Sequence, residues 1–110
     1  MAGYYELKKS TDGQFLFNLK AGNNETILTS ERYTTKASAE NGIKSVQYNS
    51  RDDSKYERRK STRNEPYFVL KAVNGEIIGR SEMYSSEAAM ENGIASVKAN
   101  GPTTTVKDNT

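Results

Sequence analysis

The chain of 110 residues has 34% hydrophobic and 27% charged side chains, and its 16 basic and 14 acidic groups leave a net charge of +2. This length suits one domain, and such balanced charge creates no overall field that would indicate a nucleic acid or a membrane as partner. Cysteine and histidine are absent, which excludes disulfides, thiolate and imidazole metal sites and most catalytic triads, so we expect a non-catalytic protein without cofactor or metal.

The first half of the chain predicts three strands. Residues 5–9 and 15–21 alternate apolar and polar side chains on either side of a turn at Thr11-Asp12-Gly13, which is typical of a hairpin. An Asn23-Asn24 turn then leads into a third predicted strand over residues 25–30.

A helix is predicted after each group of strands. Apolar residues recur four and three positions apart, at Ala39, Ile43 and Val46 and again at Met90, Ile94 and Val97. Thr34 or Thr35 can cap the first helix, and Ser85 or Ser86 the second. Gly42 and Gly93 lie mid-helix, where glycine costs about 1 kcal/mol relative to alanine. Their presence indicates close packing, either between the two helices or of each helix against the sheet.

The second half repeats the order of the first. Strands are predicted over residues 55–60, 66–72 and 76–81, with a turn at 62–65 and a strong hairpin signal at Asn74-Gly75. The tail over residues 103–107 is rich in β-branched residues and predicts a last strand.

The two halves are copies of one motif. Residues 5–50 and 56–101 are identical at 23 of 46 positions without a gap, at an offset of 51 residues. Under the same offset the tail Val106-Lys107-Asp108 falls on Lys55-Tyr56-Glu57, so the middle strand both ends the first repeat and begins the second. Because about fifty residues bury too little core alone, the repeats should share one.

We therefore predict an α+β protein that is a single domain of two repeats, over residues 4–54 and 55–110. Tandem β3-α-β repeats should form a single antiparallel sheet of about seven strands, with two helices on one face and an internal pseudo-two-fold axis. Internal duplication favours a monomer that acts as a pseudo-dimer.

Several segments resemble the YegP-like family of small bacterial proteins. They are Leu19-Lys20-Ala21, residues 70–78, the two Glu-Asn-Gly-Ile helices and the closing residues 105–110, and the resemblance covers the whole chain. It implies tandem or dimeric β3-α-β units in a single antiparallel sheet, with exchanged C-terminal strands and helices on one face. The copies differ where Asn24, Thr26 and Lys36 stand against Gly75, Ile77 and Glu87. The family is a domain of unknown function, so the resemblance implies no catalytic or binding residue.

A basic run is the first candidate site, comprising Lys55, Arg58, Arg59, Lys60 and Arg63. Alternate residues share a strand face, so Arg58 and Lys60 can present charge together near Tyr56 and Tyr67, as in proteins that bind phosphate backbones. Charged strand residues also serve simply as a solvated face or protect a sheet edge, and Glu57 interrupts the run. The alternative function that this run predicts is association with nucleic acid.

The second candidate is a protein contact patch. Leu16, Tyr67 and Val69 alternate away from the predicted core, on the sheet face that the helices leave open. This patch predicts a non-catalytic binding or protein-interaction module with an unknown protein partner. No apolar run approaches the ~20 residues of a membrane helix, and we expect a cytoplasmic protein without a membrane partner.

Other polar groups have simpler explanations. Tyr33 and Tyr84 each precede a helix whose free N–H groups can hold an anion, but core packing with Ser and Thr capping accounts for them. Asp52-Asp53 lacks the spacing of a calcium loop. Glu40 and Glu91 are explained by solvent exposure or, for Glu40, by pairing with Lys44 four residues later in the helix.

Overall fold

The structure is a computed structural model that describes residues 3–110. Its elements in chain order are β1 (Tyr4–Lys9), β2 (Phe15–Lys20), β3 (Thr26–Ser30), α1 (Lys36–Asn49), β4 (Tyr56–Lys60), β5 (Pro66–Lys71), β6 (Ile77–Arg80), α2 (Glu87–Asn100) and β7 (Val106–Asp108). A short 3-10 turn over Asp53–Lys55 leads into β4. The predicted α+β fold, with two helices and seven strands in tandem repeats, is confirmed. Within residues 3–110, neither helix has the length and hydropathy that crossing a membrane requires.

All seven strands form one sheet in the order β4-β5-β6-β3-β2-β1-β7. Neighbouring strands are antiparallel except β1 and β7, which run parallel. The sheet is therefore mixed, and the expectation of a wholly antiparallel sheet is wrong at this one pair. No hairpin joins β7 to β1, and α2 carries the chain from β6, near the middle of the sheet, to the outer edge of β1.

The pseudo-two-fold axis passes through the middle of the sheet. Thr29 and Arg80 occupy equivalent positions in the two repeats, and they pair with each other where β3 meets β6. Beneath the sheet the equivalent residues Ser50 and Gly101 meet at the C-terminal ends of the helices, where a Cβ on Gly101 would overlap the Ser50 side chain. The asymmetry between serine and glycine at this contact follows from the lack of space for two side chains.

The core lies between the sheet and the helices. Strand alternation directs Tyr5, Leu7, Phe17, Leu19, Tyr56, Phe68 and Leu70 toward the helices, which cover them with Ala39, Ile43, Val46, Met90, Ile94 and Val97. The predicted apolar helix faces are therefore confirmed. Both repeats build the same edge-to-face aromatic pair, with ring centroids 5.8 Å apart for Tyr5 and Phe17 and 5.6 Å apart for Tyr56 and Phe68.

The hairpin turns explain one difference between the repeats. Asn24 and Gly75 are equivalent, and both adopt the left-handed backbone conformation, with φ of 68° and 84°. Asparagine tolerates this conformation better than other residues with a Cβ, so the exchange keeps the turn.

Each repeat is tied to the helix of the other by a buried tyrosine. The Tyr5 hydroxyl donates a hydrogen bond of 2.6 Å to the Gly101 carbonyl after α2, and the Tyr56 hydroxyl donates one of 2.6 Å to the Ser50 carbonyl after α1. Burial raises the pKa of both phenols well above their usual value. Neutral hydroxyls therefore hold the helix ends against the first strand of the opposite repeat.

We predict that Tyr56→Phe lowers the free energy of unfolding by about 1–2 kcal/mol, because the Ser50 carbonyl loses its buried donor. The raised native pKa stabilises the wild-type fold fully below about pH 10, and this contribution is lost as the pH rises from there through the native pKa. Tyr56→Phe should therefore lose less stability than wild type above about pH 10.

Urea unfolding at a series of alkaline pH values measures this difference. Tyr48→Phe is the matched control, because the Tyr48 side chain is 78% exposed. Parallel stability curves for wild type and Tyr56→Phe in the alkaline range would contradict the prediction.

Candidate binding surfaces

The basic run lies on β4, which is central in the chain but forms an edge of the sheet. Arg58 makes a bidentate ion pair with Glu91 of α2, at 2.6 and 3.0 Å, and a further contact of 3.2 Å with Asp53. These carboxylates raise the pKa of Arg58, and the Arg58 guanidinium lowers the pKa of Glu91. The Arg58 charge is therefore matched within the chain.

The other cations of the run are also largely paired. Arg59 pairs with Glu57, the Lys60 ammonium lies 3.6 Å from the Glu87 carboxylate, and the Lys55 ammonium lies 3.8 Å from that of Asp52. Arg63 lies in the turn after β4 and has no ion pair within residues 3–110. The run thus presents much less positive charge than its sequence suggests.

The expected apolar patch of Leu16, Tyr67 and Val69 falls on the open sheet face, but its three residues do not form one exposed surface. Leu16 and Tyr67 are equivalent residues of β2 and β5, and both are half-buried. Val69 is fully buried, so the expectation that it offers contact surface is wrong. It sits between Glu57 of β4 and Arg80 of β6, whose longer side chains flank it on the same face.

The open face instead carries the same ionic cluster twice. In the first repeat Glu6 lies 3.1 Å from Lys8 and 3.9 Å from Lys20. In the second repeat Glu57 pairs with Arg59 and lies 3.5 Å from Lys71. Each cluster holds two cations on one carboxylate and therefore keeps one positive charge in excess.

Two further cations extend the basic character of this face. The Arg80 guanidinium lies 3.6 Å from Glu31, and the Lys107 ammonium lies 4.3 Å from the centre of the Tyr4 ring. The six cations are Lys8, Lys20, Arg59, Lys71, Arg80 and Lys107, against the carboxylates of Glu6, Glu57 and Glu31. The six cations therefore outnumber the carboxylates that pair with them.

Sequence reasoning missed this surface because it followed a contiguous run of charge. The signal lies in the alternation of Glu6 with Lys8 and of Glu57 with Arg59, at equivalent positions of the repeats. The part that Lys20 and Lys71 play becomes visible only once the register of β2 and β5 is known.

Tyr33 and Tyr84 explain the two helix glycines. Each ring stacks on a core phenylalanine, with centroids 6.4 Å apart for Tyr33 and Phe17, and its hydroxyl reaches the helix of the same repeat. A Cβ on Gly42 would lie 2.6 Å from the Tyr33 hydroxyl oxygen. The helix-to-helix interpretation of these glycines is wrong, since their closest neighbours are the tyrosines and phenylalanines beneath the sheet.

A family model described as "Domain of unknown function (DUF1508)" matches residues 10–57 and 61–108. The chain belongs to this family. The UPF0339 protein YegP of Yersinia pestis is 61% identical over 106 residues, which are 96% of this chain and 95% of that protein. The YegP protein of Escherichia coli (strain K12) is 59% identical over 110 residues and matches 100% of both chains. The YegP-like resemblance is thereby confirmed.

Two solved structures show the same fold as this DUF1508 chain. The solution NMR structure of a UPF0339 protein from Shewanella oneidensis is 58% identical, with a TM-score of 0.92 over 98% of this chain and 92% of that one. The solution NMR structure of yegP from E. coli, described as a protein of unknown function, is 59% identical, with a TM-score of 0.94 over 99% and 94% of the two chains. None of these descriptions states an activity.

We predict that Gly93→Ala destabilises this DUF1508 protein, although alanine is the better helix former by about 1 kcal/mol. The added Cβ would overlap the Tyr84 hydroxyl and ring, and such overpacking costs about 1–3 kcal/mol. Thermal and urea unfolding measure the effect. The same change in a Tyr84→Phe background should destabilise less, because the nearer overlapping atom is gone. A rise in stability for Gly93→Ala alone would refute this explanation of the helix glycines.

Proposed function

We propose that this protein is a non-catalytic cytoplasmic binding module that recognises an acidic protein partner through the open face of its sheet. The observation that carries the proposal is the pair of equivalent ionic clusters, Glu6 with Lys8 and Lys20 and Glu57 with Arg59 and Lys71. A predicted monomeric state belongs to the same proposal, since the two repeats already supply both copies of the cluster.

The clusters suit recognition because their cations are held in place. A carboxylate shared by two cations restricts both long side chains before a partner arrives, which reduces the entropy lost on binding. The partly exposed cations remain free to meet carboxylates of another protein, and complementary charge raises the association rate and excludes basic partners. Tyr67 and Leu16 add half-buried apolar surface beside Arg59 and Lys8.

Association with nucleic acid is the second candidate function. The observation that favours it is Tyr67, which lies directly across from Arg59 on the same basic face, as in surfaces that combine phosphate contacts with base stacking. On this basis the open-face cations, which include Arg59, replace the other residues of the basic run as the main contact residues, namely Lys55, Arg58, Lys60 and Arg63. Binding of this kind would weaken steeply with salt.

Charge reversal tests the proposal. The double variant Lys20→Glu with Lys71→Glu reverses one cation in each cluster. The double variant Lys44→Glu with Arg51→Glu makes the same change in net charge at exposed residues of α1 and the segment after it. Tagged proteins are used for affinity capture from the cytoplasmic fraction, with and without nuclease, after circular dichroism has confirmed that each variant is folded.

We predict that the open-face variant loses the acidic proteins that wild type retains after nuclease, while the matched control keeps them. Equal retention by both variants would refute the open face as the binding surface. Loss of all partners on nuclease treatment of wild type would instead favour the nucleic-acid function.

A further inference from the structure

One row of side chains crosses the open sheet face at right angles to the strands. Neighbours in the row are paired through the register of six strands, and Thr29 pairs with Arg80 at the pseudo-two-fold axis. The row in order is Glu6, Asn18, Thr29, Arg80, Val69 and Glu57. The two ends of the row are equivalent residues of the repeats.

Each end of the row is the centre of one ionic cluster. The first cluster is Glu6 with Lys8 and Lys20, and the second cluster is Glu57 with Arg59 and Lys71. The cation side chains are 44% and 20% exposed in the first cluster, and 38% and 32% exposed in the second. Both clusters therefore offer cations to a partner on the same face of the sheet.

The strand order fixes the distance between the clusters. The first cluster is centred between β1 and β2, and the second cluster is centred between β4 and β5. Four strand spacings separate these two lines in the sheet, and each spacing is about 4.8 Å. The centres of the two clusters are thus about 19 Å apart.

The charges of the clusters are what the two repeats share on the open face. Equivalent members of the two clusters carry the same charge at all three positions. Because substitutions on a surface usually change stability little, solvation alone would not require the same charges at the same places. Other equivalent residues of this face do differ, namely Leu16 and Tyr67, Asn18 and Val69, Thr26 and Ile77, and Thr29 and Arg80.

The row between the clusters is open to an acidic ligand. No carboxylate belongs to the row between Glu6 and Glu57, and Arg80 at its centre adds a cation, which also lies 3.6 Å from Glu31. Each cluster has one positive charge more than its carboxylate matches. One acidic group of a partner at each cluster would therefore complete the charge balance at both ends of the row.

We infer that the acidic partner binds both clusters at once, through two acidic groups about 19 Å apart on one surface. The inference rests on the proposed function, to which it adds the valency of the partner and the spacing of its acidic groups. Simultaneous contact makes the second binding event intramolecular, so two weak contacts give one tight complex.

Two isomeric peptides test the spacing. Each carries a fluorophore and consists of four aspartates and five prolines. In the spaced peptide the prolines separate two pairs of aspartates, and in the compact peptide they follow all four aspartates. Polyproline rises about 3.1 Å per residue, so the inner aspartates of the spaced peptide are about 19 Å apart. The aspartates of the compact peptide span only about 10 Å.

Fluorescence anisotropy with the full-length protein at low ionic strength measures both affinities. The spaced peptide should bind at least about tenfold more tightly, because its second pair of aspartates reaches the second cluster at high effective concentration. Charge density alone would favour the compact peptide. Equal affinities, or tighter binding of the compact peptide, would overturn the inference. Failure of both peptides to bind at about 1 mM would overturn the proposed function with it.

Two double variants remove the cations of one cluster at a time. Lys8→Gln with Lys20→Gln changes the first cluster, and Arg59→Gln with Lys71→Gln changes the second. Either change should bring the affinity for the spaced peptide to within about threefold of that for the compact peptide, because only one cluster still binds. A tenfold preference that survives in either variant would exclude simultaneous contact.

The matched control is Lys44→Gln with Arg51→Gln, which removes two exposed cations from α1 and the segment after it. It should keep the preference for the spaced peptide, and circular dichroism confirms that each variant is folded. The inference and the proposed function fail in different ways. If the cluster variants weaken both peptides alike and wild type does not distinguish them, the open face binds acidic groups as proposed, but each cluster acts alone and the inference is wrong.

Discussion

The contact between a buried tyrosine of each repeat and the helix end of the other repeat is the constraint on which the fold depends. The buried hydroxyls of Tyr5 and Tyr56 each bind the carbonyl that ends the helix of the opposite repeat. A unit of about fifty residues with one amphipathic helix cannot bury a sufficient core alone. The repeats therefore share one core, and the helix ends must meet at the axis, where Gly101 leaves room for Ser50.

Because the two repeats lie in one chain, their two outer sheet edges cannot both be covered in the same way. Two repeats provide two outer edges, at β1 and β4, but the chain has only one free tail to cover them. The covered edge has buried Leu7 beneath β7 and Lys36 beside Asp108. At the open edge the equivalent positions hold Arg58 and Glu87. Arg58 pairs with Glu91 of α2. The residue differences between the two repeats at these positions thus follow from the fact that one edge is covered and the other is exposed.

Much of the fold could be predicted from the sequence because it depends on local period and on the repeat. Alternation placed Phe17, Leu19, Phe68 and Leu70 on the buried face, and helical spacing placed Ile43 with its apolar neighbours on the sheet. Non-local pairing could not be predicted in this way. The parallel register of β7 on β1 and the edge position of β4 depend on where a strand lands after a long crossover.

The candidate site was less predictable for a related reason. Strand period assigns Val69 to the open face correctly, but its burial depends on long side chains from β4 and β6 that the period does not describe. Likewise, Arg58 and Lys60 look like a basic surface in the sequence, whereas Glu91 and Glu87 approach them from α2. The clusters around Glu6 and Glu57 combine residues from two strands each, so they emerge only with the register.

Native-state hydrogen exchange at the two edges tests most directly whether β7 covers β1 while β4 stays open. The parallel ladder places the Leu7 amide on the β7 backbone, and the equivalent Arg58 amide faces solvent. Exchange of ¹⁵N-labelled protein followed by NMR should show a protected Leu7 amide and an Arg58 amide that exchanges at nearly the rate of an unfolded chain. Similar protection at both residues in a monomeric sample would contradict the open edge.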